Sequence, residues 1–522
     1  MKERFDLAVI GSGFAGSLLA MIAHQLGLRV ILLERGRHPR MVIGESSTPL
    51  SNLLLEELAS RYRLPNLLPL SKWGSWQRSH PELACGLKRG FSFFHHESGR
   101  IGSVDRDHQL LVAASPHDEI ADTHWYRADI DAYLVQEAQR LGVTYLDQVV
   151  LSEFTDGEQE ALLLGTKDGS PIEIGAHFVV DATGPRGFLH GSLRLQEREL
   201  PGVPATSGLY SHFSGVRRLD QTAALTLDAK PPYPVDDAAV HHIFEGGWIW
   251  VLHFGNGITS AGIAATDALN GELRLAEGET AWARLLQRLP VLCEQFGDAQ
   301  PMQPFRYIPR VGFRSSAISG RRWALLPSAA GFVDPLLSTG FPLTLLGVAR
   351  LAEILESHWK TERFSTRLAA YAEKTEAELL ATAQLIGALY ANFGNFRVFS
   401  ALTLLYFAAA SYAESARRLG RPQLASSFLL YDQPQFGTQS AAVLQRALAV
   451  RLGTESHALI DEIRRVIEPI DVADLTDRTR RNWYPVDAGD LLRGAHKLGA
   501  NREDILQMLE RCGFNASAVS RG

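Results

Sequence analysis

Residues 5–34 read FDLAVIGSGFAGSLLAMIAHQLGLRVILLE, and their order decides the fold. Phe5–Ile10 is a short apolar run of the kind a buried strand needs. Gly11-Ser12-Gly13-Phe14-Ala15-Gly16 follows directly. Ser17–Leu26 then carries helical spacing, Gly27 ends that helix, and Arg29–Leu33 is a second strand closed by Glu34. Strand, glycine turn, helix, strand and acid is the order of a dinucleotide-binding unit. Gly11 lets the chain turn, Gly13 lets the backbone approach a pyrophosphate, and Gly16 lets helix and strand pack closely. The pyrophosphate belongs on the helix N-terminus, where unpaired N–H groups and the positive end of the dipole favour an anion. Phe14 and Ala15 lie in the same turn, and Glu34 is placed to accept a ribose hydroxyl. Arg35 and Arg127 complete the cationic candidates for holding the cofactor.

The chain has 522 residues, more than one ordinary core, so two or three domains are expected. Working outward, Gly44–Pro49 (GESSTP) is a loop, and Ser51–Tyr62 resumes as a helix. Leu64–Arg89 reads as irregular, and Phe91–His95 as a strand. A helix is predicted over Ala128–Leu141 with Gly142 after it. Short strands are expected at Thr144–Leu146, Ala161–Gly165 and Ile172–Ile174. Phe178-Val179-Val180-Asp181-Ala182-Thr183-Gly184 is a further apolar strand that delivers small residues to a sheet's carboxyl edge. Strand-like runs from Thr206 to Ala264, including Ala223–Leu227 and Trp248–Leu252, read as a largely antiparallel sheet inserted into the nucleotide-binding unit. Trp323–Leu326 returns to a buried strand, a helix runs from about Pro342 to Leu355, and beyond Thr361 the pattern is helical. The expected class is α/β (α+β): a Rossmann-type domain over 1–200 and 311–360, an antiparallel-sheet domain over 201–310, and a helical region over 361–522.

Three glycine-bearing strand ends, near residues 11, 184 and 331, converge on one dinucleotide. A long cofactor that crosses the sheet to a second domain uses all three, which favours FAD over NAD. Net charge is −6, which argues against nucleic acid as a partner. Cys85, Cys293 and Cys512 lie far apart and form no disulfide framework or CxxC site, so a reducing, cytoplasmic compartment is expected. Phe399–Ala413 is the most apolar stretch, shorter than the ~20 residues a membrane helix needs, and reads as a buried or groove-lining helix with no stable membrane insertion. His95-His96 and His241-His242 are adjacent pairs that point to opposite faces of a strand, so no metal is expected.

These segments resemble the flavin-dependent halogenases, the tryptophan-halogenase-like branch of the FAD monooxygenases. Gly11–Gly16 matches that family's GxGxxG, Gly44–Pro49 resembles its flavin loop, and Phe332–Gly340 (FVDPLLSTG) fits its FxxPxxSxG pattern. The resemblance covers residues 5 to about 350 and implies FAD, used as FADH2 from a separate reductase, with chloride or bromide. In that family reduced flavin and oxygen give a hydroperoxide that halide attacks, making hypohalous acid for an electron-rich aromatic substrate, free or tethered to a carrier protein.

On the same resemblance Glu45, Ser46, Ser47, Gly184, Asp334 and Gly340 join the cofactor set, and Ser338, Thr339 and Gly340 form the halide site. N–H donors at a helix N-terminus suit an anion without bulk. Lys88, in the Leu-Lys-Arg-Gly-Phe segment, corresponds to the family's essential lysine. It would hold the oxidant by hydrogen bonding or as a haloamine, and burial would lower its pKa towards a nucleophilic amine. A surface lysine on a strand edge is the other reading of Lys88, and Lys72 is its competitor. Trp248 and Trp250 share one strand face and would wall substrate off from the flavin, or else serve as core.

Three departures bear on function. Leu252-His253 stands where the family has Ile-Pro. Pro327-Ser328-Ala329 stands where the monooxygenases have Gly-Asp-Ala, so the ribityl bond is expected from Ser328 or from elsewhere. Leu337 stands where tryptophan halogenases carry a glutamate, which points towards phenols or pyrroles rather than free tryptophan. The alternative activity is an FAD-dependent monooxygenase or other oxidoreductase on the same scaffold.

Overall fold

Strand β1 (Glu3–Ile10), helix α1 (Phe14–Gln25) and strand β2 (Val30–Leu33) form the unit expected from residues 5–34. The structure is a computed structural model describing residues 3–97, 104–449 and 454–514. Helix α2 (Pro49–Arg61) follows the GESSTP loop, its start fixed by Thr48 and Ser51, each capping the other's backbone N–H, and by Pro49 in the first turn. Next come α3 (Trp73–Ser79), β3 (Cys85–Lys88), β4 (Gly90–His96), β5 (Gln109–Ala113) and β6 (Asp122–Trp125). The segment 64–89, expected to be irregular, therefore holds a helix and a strand, and Lys88 ends that strand.

Helix α4 (Arg127–Leu141) closes on Gly142, whose φ of 106° a side chain would resist. Strands β7 (Thr144–Leu146), β8 (Val149–Asp156), β9 (Ala161–Lys167) and β10 (Ser170–Asp181) complete the first sheet, in the order β7-β2-β1-β10-β9-β8. The two strands predicted at 172–174 and 178–184 are one. The first half of β10 pairs antiparallel with β9, while its second half runs parallel to β1 on one side and to Trp323–Leu325 on the other. This register brings the carboxyl ends Ile10, Asp181 and Leu325 side by side, so the three expected segments do share one edge.

The second sheet contains β11 (Thr206–Ser214), β12 (Ala238–Phe244), β13 (Gly247–His253) and β14 (Ile258–Thr266), in the order β11-β14-β13-β12-β4-β5. It is not confined to 201–310: β4 and β5 come from before it, the strand Trp483–Tyr484 pairs with β5 from after it, and β12 runs parallel to β4. The strand predicted at Ala223–Leu227 does not form; Leu225 makes a single bridge to Val104. Helices α5 (Gly340–His358), α6 (Phe364–Ala391), α7 (Phe396–Arg418) and α8 (Arg502–Cys512) supply most of the remaining layer. Helix α7 is long and apolar enough to cross a membrane, the one such helix among the described residues, yet 83% of its apolar window is buried inside the protein.

Candidate active site

The glycine turn shapes the edge of the first sheet. A Cβ on Gly16 would stand 1.9 Å from the Gly11 carbonyl oxygen, and one on Gly11, at φ +96°, would meet the backbone of Ala182 and Thr183 at 2.8–2.9 Å. Only glycine permits this approach. Gly13, at the N-terminus of α1, faces the guanidinium groups of Arg127 and Arg40. Arg127 is fixed by a two-pronged pair with Asp131 (2.9 and 2.8 Å) and donates to the Gly44 carbonyl at 2.9 Å, tying the flavin loop to α4.

At the end of β2, Glu34 accepts from Ser12 N–H (3.1 Å), Ser12 Oγ (2.9 Å) and Gly36 N–H (2.8 Å). Arg35, expected beside it, is exposed; Arg40 is the arginine that reaches Glu34, at 3.4 Å. The chain turns back after residue 36, and sequence spacing alone gave no sign of this. His38 Nδ1 and Arg40 Nε are buried without hydrogen-bond partners in this cluster. Orphaned donors and acceptors beside a glycine cradle fit the adenosine end of a dinucleotide. Phe14 stacks on Phe341 with centroids 4.6 Å apart and rings within 6° of parallel, and both meet the edge of Trp125.

Gly184 takes φ +84° just past Asp181, whose carboxylate accepts from Thr183 N–H and from Leu189 N–H to hold that loop shut. Ser328 lies half-buried just after Trp323–Leu325, on the same sheet edge as Gly11 and Gly184. Ala15 is packed into the core.

The turn at residues 332–340, the expected halide site, is held from behind. Asp334, expected to bind cofactor, is 1% exposed and fully engaged inside the protein. One carboxylate oxygen accepts from Trp248 Nε1 (3.1 Å) and Leu336 N–H (2.9 Å), the other from Tyr390 OH (2.8 Å). It positions the turn. Leu337 and Ser338 both take left-handed backbone angles, φ 64° and 55°, which neither residue type prefers. The turn thereby presents Ser338, buried Thr339 and Gly340 at the start of α5, where a helix's first N–H groups lack intrahelical partners. Leu337 itself is fully buried and offers the site no acid.

Burial pushes the Asp334 carboxyl up to about 6, with no cation nearby to oppose it. Its ionisation is therefore a penalty on the folded state, absent below the ordinary carboxylate range and fully present above about pH 6. Asp334→Asn should abolish a decline in unfolding free energy of about 3 kcal/mol between pH 4 and 6, read from denaturant melts at stepped pH.

Trp248 and Trp250, on one face of β13, have centroids 5.7 Å apart and are both buried, with Trp248 stacked on His241. Trp248 reaches the 332–340 turn through its bond to Asp334, while Trp250 bonds Ser260 within the sheet. Glu45 turns inward onto His212 (2.7 Å), whose other ring nitrogen meets Gln303 at 2.9 Å. Through this bond Glu45 ties the Gly44–Pro49 loop to β11 of the second sheet.

Ser46 and Ser47 occupy the same loop, and they hold Lys88. The ammonium donates to Ser46 Oγ (2.9 Å) and the Ser47 carbonyl, and sits 3.8 Å from the centroid of the Phe91 ring. Lys88 is 0% exposed, so the surface reading of this residue is wrong. Burial lowers its pKa, opposed by the neighbouring charge of Asp122. Lys72, in contrast, is paired with Glu56 at 3.2 Å with its side chain 24% exposed.

Phe91, Asp122 and Pro342 border a cavity of about 170 Å³ whose far side is Tyr406, Phe407 and the C-terminal residues around Leu509. Tyr406 OH donates to the Leu337 carbonyl at 3.1 Å, linking this wall to the halide turn. The aromatic run of α7 is thus both core and cavity wall. Asp122, Asn52 and Tyr406 were not legible as site residues.

The sequence matches the tryptophan halogenase family model over residues 121–393. The chain belongs to that family. Among similar proteins, the monodechloroaminopyrrolnitrin halogenase PrnC of Pseudomonas fluorescens is 29% identical over 411 residues, 78% of this chain and 71% of that protein. The tetracycline 7-halogenase of Kitasatospora aureofaciens is 29% identical over 385 residues, 72% of this chain and 68% of that one. The halogenase PltM, solved with phloroglucinol and FAD, superposes with a TM-score of 0.81 at 24% identity, over 91% of this chain and 99% of that chain. The halogenase is accordingly an FAD-dependent enzyme with a Rossmann-type cofactor domain and a helical C-terminal region. One histidine cluster falls outside its cavity: ligand atoms of His95, Glu97 and His108 lie within 4.8 Å of one another among the described residues, with His108 also bonded to Asp105.

Proposed function

We propose that this halogenase acts on an electron-rich ring of the phenol, pyrrole or indole type, and that Lys88 carries the oxidant to it. The observation that carries the proposal is the placement of Lys88: an amine with no exposure to solvent, clamped by the flavin loop on one side and abutting Phe91 on the other. Reduced FAD, when bound, supplies the oxygen activation that converts chloride or bromide into hypohalous acid. The chain's own residues do the rest. Gly11, Gly13 and Gly16 make room for the pyrophosphate, with Arg127 and Arg40 beside it. Ser338, Thr339 and Gly340 offer donors to the halide. Trp248 and Trp250 close the direct route between cofactor and substrate. Lys88, its charge disfavoured by burial, hydrogen-bonds the oxidant or takes the halogen on Nζ.

By their names PrnC and the tetracycline halogenase act on monodechloroaminopyrrolnitrin and tetracycline, and PltM binds phloroglucinol, while two further relatives, a chlorinase and a brominase, act on a pyrrole held by a carrier protein. A phenol or pyrrole is the substrate favoured here, because the cavity of about 170 Å³ that α7, α8 and the 473–491 segment line is of the size of a single small ring. The first sheet and the glycine turn would carry the cofactor, the second sheet, with strands from before residue 201 and after residue 361, would screen it, and α7 and α8 would cover the substrate. The free thiols Cys85, Cys293 and Cys512 accord with a cytoplasmic enzyme served by a separate reductase.

The test is a panel of phenols, pyrroles and indoles, free and carrier-tethered, incubated with reductase, FAD, oxygen and bromide or chloride and read by mass spectrometry. Monohalogenated phenol or pyrrole is expected. Hydroxylated products, or none, would sink the proposal.

A further inference from the structure

Asp122 is a buried carboxylate with an unmet bond. It faces Lys88 directly across the β3–β6 ladder, yet the ammonium turns to Ser46 and Ser47 instead. Asn52 Nδ2 donates to Asp122 Oδ1 at 2.7 Å, which fixes the carboxyl plane. Among the described residues Oδ2 has no hydrogen-bond partner, and Asp122 is 5% exposed and borders the cavity. A buried acceptor without a donor costs about 1–3 kcal/mol, and more when charged. Such a group persists where a ligand supplies the missing donor.

Resting on the substrate reading above, we infer that Asp122 Oδ2 accepts the hydroxyl or ring N–H proton of the aromatic substrate and serves as its general base. The ring carbon then attacks the halogen of hypohalous acid. The C–X bond forms as the O–X bond breaks, and the electron pair of that bond leaves with hydroxide. The hydrogen on the attacked carbon is lost to hydroxide as water when aromaticity returns, and the Asp122 proton goes back to the product oxygen or nitrogen. The sum is ArOH and HOX giving X–ArOH and water, with Asp122 restored.

The surroundings suit this task. Lys88 faces the carboxyl from β3, Glu414, Arg418 and Tyr406 from α7, and the amide of Asn52 from α2; His124 and His241 lie near Lys88 and are kept neutral by burial. Burial pushes the Asp122 carboxyl up and the Lys88 amine down, bringing their proton affinities together. A base of that strength is matched to neutral pH.

Substituted phenols whose own pKa runs from about 10 to about 7 separate a base from a scaffold. For Asp122→Asn, kcat on weakly acidic phenols should fall about 100-fold or more relative to wild type, with the deficit shrinking as the phenol ionises by itself. Asp122→Ala should regain activity with added formate. A loss uniform across the series, without formate rescue, would overturn the inference while leaving the Lys88 reading intact. A wild type that halogenates none of these phenols and none of the pyrroles and indoles above overturns both. FAD content by absorbance checks folding. If neither variant retains FAD, Asn52→Ala carries the test: the same acidity trend is expected, and its absence counts against Asp122.

Discussion

Lys88→Met should leave an enzyme that still binds FAD and oxidises reduced flavin, yet halogenates about 1,000-fold more slowly than wild type. Methionine fills nearly the volume of lysine without its charge, so the core around Phe91 is kept while the amine is removed. Two hydrogen bonds to Ser46 and Ser47 are lost with it, and the flavin loop retains its other ties, through Glu45 to His212 and from Arg127 to Gly44. Product formation by mass spectrometry, set against flavin oxidation by absorbance, separates the two activities. A variant within tenfold of wild type would remove Lys88 from the mechanism. Lys72→Met is the matched control. Its partly exposed pair with Glu56 contributes less than about 1 kcal/mol, so its effect should stay within severalfold.

The second large effect belongs to Gly16→Ala. The added methyl would lie 1.9 Å from the Gly11 carbonyl oxygen and 3.1 Å from the Ala182 side chain, with backbone rather than a movable side chain on the near side. Helix α1 must then back away from β1, and the N–H groups at its first turn leave the place where the pyrophosphate would rest. We expect purified Gly16→Ala protein to lose FAD on desalting, with flavin fluorescence in the flow-through, and to unfold at least ~3 kcal/mol more easily. Full retention of FAD by this variant would mean that the glycine turn is not the phosphate cradle.

The parts of this enzyme that sequence reveals are those whose chemistry is local. The unit from Phe5 to Glu34 is readable because each of its constraints falls within a few residues of the next. The halide turn is readable because Pro335, Ser338 and Gly340 are nearly contiguous. Asp122 and Asn52 are 70 positions apart, and nothing near either announces the other. Arg40 displaces Arg35 because the backbone beyond Gly36 turns back on itself, a property of the loop rather than of the residue. Ala223–Leu227 has the composition of a strand, but among the described residues it meets only Val104, through one bridge, and a strand exists only through its partner. Glu45 and Asp334 sit in the loop and the turn that the motifs mark, but the direction of their carboxylates is set by His212, Trp248 and Tyr390, partners far along the chain.

The bond from Tyr406 to the Leu337 carbonyl matters to anyone who would exchange this enzyme's C-terminal portion for that of a relative to alter its choice of ring. The helix that lines the proposed guest's chamber also braces the proposed seat of the anion. A transplanted segment lacking a hydroxyl at that point would bring its new preference together with a loosened grip on chloride.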